Sequence, residues 1–194
     1  TDIIESRDDL VKILRRSSSS FVITVKGKRL NENRVPEEIT YDTSRELRLQ
    51  TKLSMESYLT HVSGPTPAQV NKESVVRFNG KIRNTANMVK GTVFTAKLPP
   101  NAVWKNSYSS NLPVKGVTYN TGKREVSLQL GEIPAGTGLD TDPIDFYFDV
   151  GFTPSLTQAG LSPDVILSPT LGGTDSFTGG VVQTSVGAIT TAGA

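Results

Sequence analysis

Strict alternation of apolar and polar residues recurs along the chain. Phe21, Ile23 and Val25 alternate with Val22, Thr24 and Lys26, and Leu47, Leu49, Thr51 and Leu53 alternate with Arg48, Gln50 and Lys52. Val76, Phe78, Gly80 and Ile82 are set against Arg77, Asn79, Lys81 and Arg83. Phe94, Ala96 and Leu98 form the next run, followed by Val126, Leu128 and Leu130. The clearest run is Ile144, Phe146, Phe148, Val150 and Phe152, against Asp145, Tyr147, Asp149 and Gly151. Successive side chains of a strand point to opposite faces. Each run therefore predicts a strand with one buried and one solvated face, as antiparallel sandwiches require.

Turn chemistry falls between the runs: Asn84-Thr85-Ala86-Asn87, Pro99-Pro100-Asn101, Asn120-Thr121-Gly122-Lys123 and Pro134-Ala135-Gly136-Thr137-Gly138. Strands at such spacing predict an all-β protein, an immunoglobulin-like antiparallel β-sandwich. The one helix candidate is Ser6 to Arg16, with Ser6 as cap, Asp8 and Asp9 in its first turn, Arg15 and Arg16 in its last, and Leu10, Ile13 and Leu14 as its apolar stripe. The serine run Ser17–Ser20 reads as a loop.

At 194 residues the chain is long for one sandwich and short for two. Few strands precede Leu53, and the stretch Met55–Val62 ends at Gly64-Pro65-Thr66-Pro67, whose prolines cannot sit inside a central strand. The expected boundary is at residues 52–56. Residues 1–54 would be the C-terminal part of a preceding β module, and 55–194 a complete sandwich with a frayed C-terminal tail. The opening Thr1-Asp2-Ile3 lacks the features of a signal peptide and predicts an internal piece of a longer protein. No window offers the roughly 20 apolar residues that span a bilayer, so the segment is not expected to span a membrane.

Charge changes this picture in one respect. The net charge is only +2, but residues 1–50 carry ten basic and nine acidic side chains, 51–130 carry eleven and three, and 131–194 carry none and seven. Late strands of a sandwich pair with middle ones, so the opposite charges can face each other across strands. The alternative is separation into poles that attract a neighbouring copy. The basic residues are spread through strands, without a recognition helix or aromatic stacking platform, which argues against nucleic acid as a partner.

Candidate chemistry is sparse. There is no cysteine, and the single histidine, His61, late in an alternating strand, reads as solvent-facing. Thiol nucleophiles and thiolate metal sites are excluded, and most zinc sites and histidine-base mechanisms are removed. There is no Gly-x-Ser-x-Gly elbow and no phosphate loop. Asp140, Asp142 and Asp145, with Asp149 beyond, are the only acidic cluster of interest for calcium, but Pro143 interrupts their spacing. They read as solvated loop and strand acids. Lys81, Lys90 and Lys97 read as outward-facing or loop positions, unsuited to an intramolecular isopeptide bond. No catalytic, cofactor or metal residue is assigned.

An ordered series of short motifs runs from residue 64 onward. It comprises Gly64-Pro65-Thr66-Pro67 with Val70, Asn84-Thr85, Leu98-Pro99-Pro100 with Val103-Trp104, and Leu130-Gly131-Glu132-Ile133 with Ala135-Gly136-Thr137-Gly138. Phe152-Thr153-Pro154-Ser155 with Gln158 and Gly160 follows, then Gly173-Thr174-Asp175-Ser176-Phe177-Thr178-Gly179. The series resembles the immunoglobulin-like repeat of bacterial surface proteins known as domain of unknown function eleven. It is more similar still to a variant frequent in candidate phyla radiation bacteria. The strand Val75-Val76-Arg77-Phe78 departs from that pattern in being basic rather than aromatic. The resemblance implies an extracellular, surface-displayed, non-enzymatic structural module of a stalk, surface layer or filament. Its expected partners are neighbouring domains or copies of the same protein. The alternative is an adhesin or glycan-binding module for a host or cell-surface ligand, for which Tyr108 and Tyr119 are the candidate platform. Trp104, the only tryptophan, is expected to plug the core between the sheets, and Gly136 and Gly138 to supply positive φ.

Overall fold

The computed structural model describes residues 16–30, 36–113 and 115–193. The helix expected over Ser6–Arg16 lies outside them, apart from Arg16, which is in a turn. Twelve strands follow in the described residues: β1 (Ser18–Leu30), β2 (Pro36–Arg48), β3 (Leu53–Ser63), β4 (Ser74–Asn84), β5 (Val89–Lys97), β6 (Ala102–Ser110), β7 (Gly116–Asn120), β8 (Glu125–Ile133), β9 (Ile144–Phe152), β10 (Asp164–Asp175), β11 (Val181–Ser185) and β12 (Ile189–Thr190). Every pair of named strands is antiparallel.

β3 to β12 build an antiparallel sandwich. One sheet has the order β3-β4-β9-β6, and the other β11-β10-β5-β8-β7 with β12 also on β10. Two sheets whose strands join by crossing between layers are the arrangement of immunoglobulin-like sandwiches. The inward residues of β4, β5, β8 and β9 are those of the alternating runs. Phe78, Phe94, Phe146 and Phe148 form the centre, with ring centroids 4.8 Å apart for Phe78–Phe148 and for Phe94–Phe146. Aromatic pairs at this spacing add to the hydrophobic gain of burial. Gly80 sits among them without a side chain because a Cβ there would meet the Phe146 ring at 2.4 Å.

Trp104 does not plug this core. It is half-buried on β6, packed at the core's margin with its ring centroid 5.7 Å from that of Tyr119 on β7. The four phenylalanines already fill the interlayer space, so the indole instead covers the side of the sandwich where the two sheets end in β6 and β7.

β1 and β2 form a separate two-stranded ribbon, paired in register from Ser18↔Arg48 to Leu30↔Pro36. Two expectations change here. Ser18–Ser20 are strand rather than loop, because backbone pairing to Glu46–Arg48 is indifferent to small side chains. The alternation from Leu47 to Leu53 is not one strand. Leu49 N–H still bonds to Ser17 O, the next rung of the ribbon, but beyond it the backbone donors are diverted, Thr51 N–H to Asp175 and Lys52 N–H to Thr85 Oγ1. The chain thus leaves the ribbon and starts the sandwich at Leu53.

The strand registers define two poles. Leu53, the Asn84–Val89 turn, the β8–β9 loop and the β10–β11 turn share the near pole, where the ribbon attaches. The Gly64–Pro67 loop, the Leu98–Pro100 turn and the Thr153–Pro163 segment share the far pole, where Thr191 N–H bonds to Pro163 O.

Candidate assembly surface

The ribbon has two chemically different faces. Odd positions of β1 and their partners on β2 place Phe21, Ile23, Val25, Ile39, Tyr41 and Leu47 on one face. These side chains are 46–66% exposed, so an apolar face of the kind that strands normally bury stands uncovered. The other face carries Thr24, Lys26, Lys28, Glu38, Asp42 and Glu46, together with the apolar Val22. The expectation that each alternating strand buries one side therefore fails for β1 and β2 among the described residues. The sandwich offers its own core to β3–β12, and no described element lies over the ribbon.

Buried polar groups bolt the base of the ribbon to the near pole. Asp175, fully buried, accepts from Thr51 N–H at 2.7 Å, Asn87 Nδ2 at 3.0 Å, Phe177 N–H at 2.8 Å and Thr178 N–H at 3.1 Å. Burial by itself would push this carboxyl's pKa up. The four donors outweigh it and hold the group below the usual aspartate range. Thr51 Oγ1 donates to Asn84 Oδ1, Asn84 Nδ2 donates to Asn87 O and Pro134 O, and Arg16 N–H reaches Asn87 Oδ1. Outside this cluster Arg48 lies over the Phe177 ring, 5.2 Å from its centroid, and Gln50 Nε2 donates to Val181 O. The motif pieces Asn84-Thr85 and Gly173–Gly179, distant in sequence, meet here. Sequence reasoning did not single out Asp175 as a hub, because nothing local distinguishes it from a surface acid.

Part of the charge asymmetry is met on the outer face of the β3-β4-β9-β6 sheet. Basic β4 lies in register with acidic β9, so Arg77 faces Asp149 and Lys81 faces Asp145. Arg77 makes a two-pronged contact with Asp149 and stacks over the Tyr147 ring, while Lys81 Nζ is 4.0 Å from Asp145. Arg83 pairs with Glu56 and Lys105 with Glu73 on the same sheet. Asp149, read as a solvated acid, is instead buried beneath Arg77.

Of the other residues singled out in the sequence, Asp140 lies beside Gly136 in the β8–β9 loop, and Asp142 is exposed. Asp140, Asp142 and Asp145 do not converge, and no group of three or more metal-type side chains forms among the described residues. His61 is exposed and donates from Nε2 to Gly64 O at 3.0 Å. Lys90 and Lys97 are exposed and Lys81 half-exposed. Tyr108 is exposed on β6, whereas Tyr119 is half-buried on β7, in the other sheet. Gly136 and Gly138 have φ of +80° and +74°.

Neither a protein-family model nor a curated protein matches the chain. Among solved structures it is similar to the three N-terminal domains of the type V pili tip protein Mfa5 from Porphyromonas gingivalis, at 14% identity and a TM-score of 0.40, over 56% of this chain and 22% of that one. It is also similar to BcpA, the major pilin subunit of Bacillus cereus, at 10% identity and a TM-score of 0.42, over 86% of this chain and 47% of that one. The chain thus spans less than half the length of either. Likeness at this level assigns no function.

The far pole holds a cleft of about 650 Å³ between the Gly64–Pro67 loop and the segment after β9, lined by Pro65, Pro67, Phe152, Pro154, Ala159 and Leu161. Its walls are largely apolar and contain no paired acid and base. Among the described residues, then, the features available for recognition are the ribbon face, the far-pole cleft and the charge-paired outer sheet.

Proposed function

We propose that this chain is a non-enzymatic structural module of a bacterial cell-surface protein, a component of a stalk, surface layer or filament. The observation that carries this reading is axial: the polypeptide joins the sandwich at one pole through a hydrogen-bonded ribbon base, and β12 pairs with β10 at the opposite pole. A module built so passes its axis straight from one neighbour to the next. The ordered motifs that resemble bacterial surface repeats support the same reading, since most of them form the loops of the two poles where neighbours would meet. On this reading the sandwich unit starts at about Leu53, and the ribbon belongs to the junction.

Two measurements test it. Antibodies raised against the chain are expected to label intact, unpermeabilised cells of the producing bacterium; labelling only after permeabilisation would refute surface display. On a glycan and matrix-protein array the chain is expected to show no saturable binding.

The far-pole cleft favours a second reading, an adhesin or glycan-binding module. Saturable array binding lost on Leu161→Asp would move the assignment to that reading.

A further inference from the structure

The uncovered apolar face of the β1–β2 ribbon is built to be covered. A two-stranded ribbon alone is marginally stable in water, and neither of its long edges is paired by another described strand. Its two strands of thirteen residues, at about 3.3 Å per residue, make an arm about 43 Å long. With side chains the face is about 10 Å wide, about 430 Å² in all, and its six apolar side chains share it with Ser19, Gly27, Arg29, Thr43 and Arg45.

We propose that a second copy of this chain covers it, the two ribbons lying face to face about a two-fold axis. The cover must itself be a long, apolar, one-sided β-face. Among the described residues the uncovered face of that shape is the ribbon's own, and a two-fold axis makes one patch serve both partners. Area sets the extent. Ribbon on ribbon buries about 900 Å² in total, just short of the roughly 1,000 Å² that a specific interface needs. An interface of this size is expected to give a weak dimer. The contact proposed here is apolar and does not involve the paired Arg77–Asp149 and Lys81–Asp145 of the outer sheet.

The test is the mass of the full chain by sedimentation equilibrium from about 1 to 200 μM. The expected species has twice the 20.9 kDa chain mass. Ile23→Ser with Tyr41→Ser is expected to weaken the dimer at least tenfold, while Val22→Ser on the opposite face leaves it unchanged. Trp104 fluorescence melting should be the same for all variants, showing that the sandwich is intact. A monomer throughout the range, or a dimer indifferent to Ile23 and Tyr41, overturns the proposal. A monomer whose ribbon binds an apolar dye would assign the face to strands of another module, and a monomer that does not would assign it to other residues of this chain. Either result leaves the surface-module reading standing, because a spacer need not dimerise.

Discussion

Arg77 and Asp149 meet in register across β4 and β9, with Nε 2.7 Å from Oδ1 and Nη2 3.1 Å from Oδ2, and the guanidinium lies 3.9 Å from the Tyr147 ring centroid. The carboxylate is buried although it belongs to the outward set of β9. Fork geometry and aromatic stacking both favour arginine over lysine here. Arg77→Ala strands a buried charge and is expected to cost about 2–4 kcal/mol, whereas the double variant Arg77→Ala with Asp149→Ala should cost less than the sum of the two. Urea unfolding of the four members of the cycle measures this. Strict additivity would show that the contact contributes nothing.

Asp175 predicts the response to acid. Its folded pKa is depressed, so the stability it contributes is present above the ordinary aspartate pKa of about 4 and is lost as pH falls through the lower folded value. Asp175→Asn also places an amide donor against the Thr51 N–H and the Asn87 amide. It should cost about 2–3 kcal/mol at pH 7. The gap between the variant and the parent chain is expected to narrow below pH 4 in thermal melts. A gap that stays constant down to pH 2 would rule out the carboxylate as its source.

Arg124 is a second device hidden from sequence inspection. Its guanidinium donates to Pro99 O and Pro100 O at 2.8 and 3.1 Å, and also to Leu98 O and Ala102 O. Prolines supply no N–H, so a Pro-Pro turn needs a donor brought from elsewhere. Arg124→Ala should destabilise the sandwich by about 2–3 kcal/mol, and Arg124→Lys should recover only part of it. Equal stability of the alanine and lysine variants would argue that packing alone matters.

The beginning of the sandwich can be located by fragments. Thr51 bonds Asp175 and Asn84, and Leu53 is 5% exposed. A 50–194 fragment is therefore expected to melt cooperatively. The 55–194 fragment, lacking both residues, should be weaker by about 3–5 kcal/mol, roughly 10 °C in Tm. Residues 1–54 alone should give no cooperative transition by circular dichroism. Identical melting of the two sandwich fragments would place the boundary after residue 55.

Gly80 tests the core directly. Alanine there would press into the Phe146 ring, and the expected cost is about 1–3 kcal/mol with an altered near-ultraviolet spectrum. A neutral Gly80→Ala would show that the aromatic cluster has slack.

What the sequence alone determined is the set of half-buried strands. In β4, β5, β8 and β9 a period of two matches the pleat, so Phe78, Phe94, Leu128 and Phe148 announce both the strand and its buried face. β10 was illegible because its period slips. Val165 and Ile166 are buried in succession, and Ser168 takes φ +45° before Pro169, where the register with β5 shifts. β6 is masked in the same way by Asn106 at φ +55°. Tertiary structure decided everything that depends on a distant partner. It decided whether an apolar face finds cover, which β9 does and β1, among the described residues, does not, and whether a charge meets its opposite, as Arg77 meets Asp149. It also decided which acid becomes a hub, as Asp175 does for Thr51 and Asn87. Periodicity reports the direction of a side chain, a local property of the backbone, whereas burial and pairing depend on what the rest of the chain places opposite it.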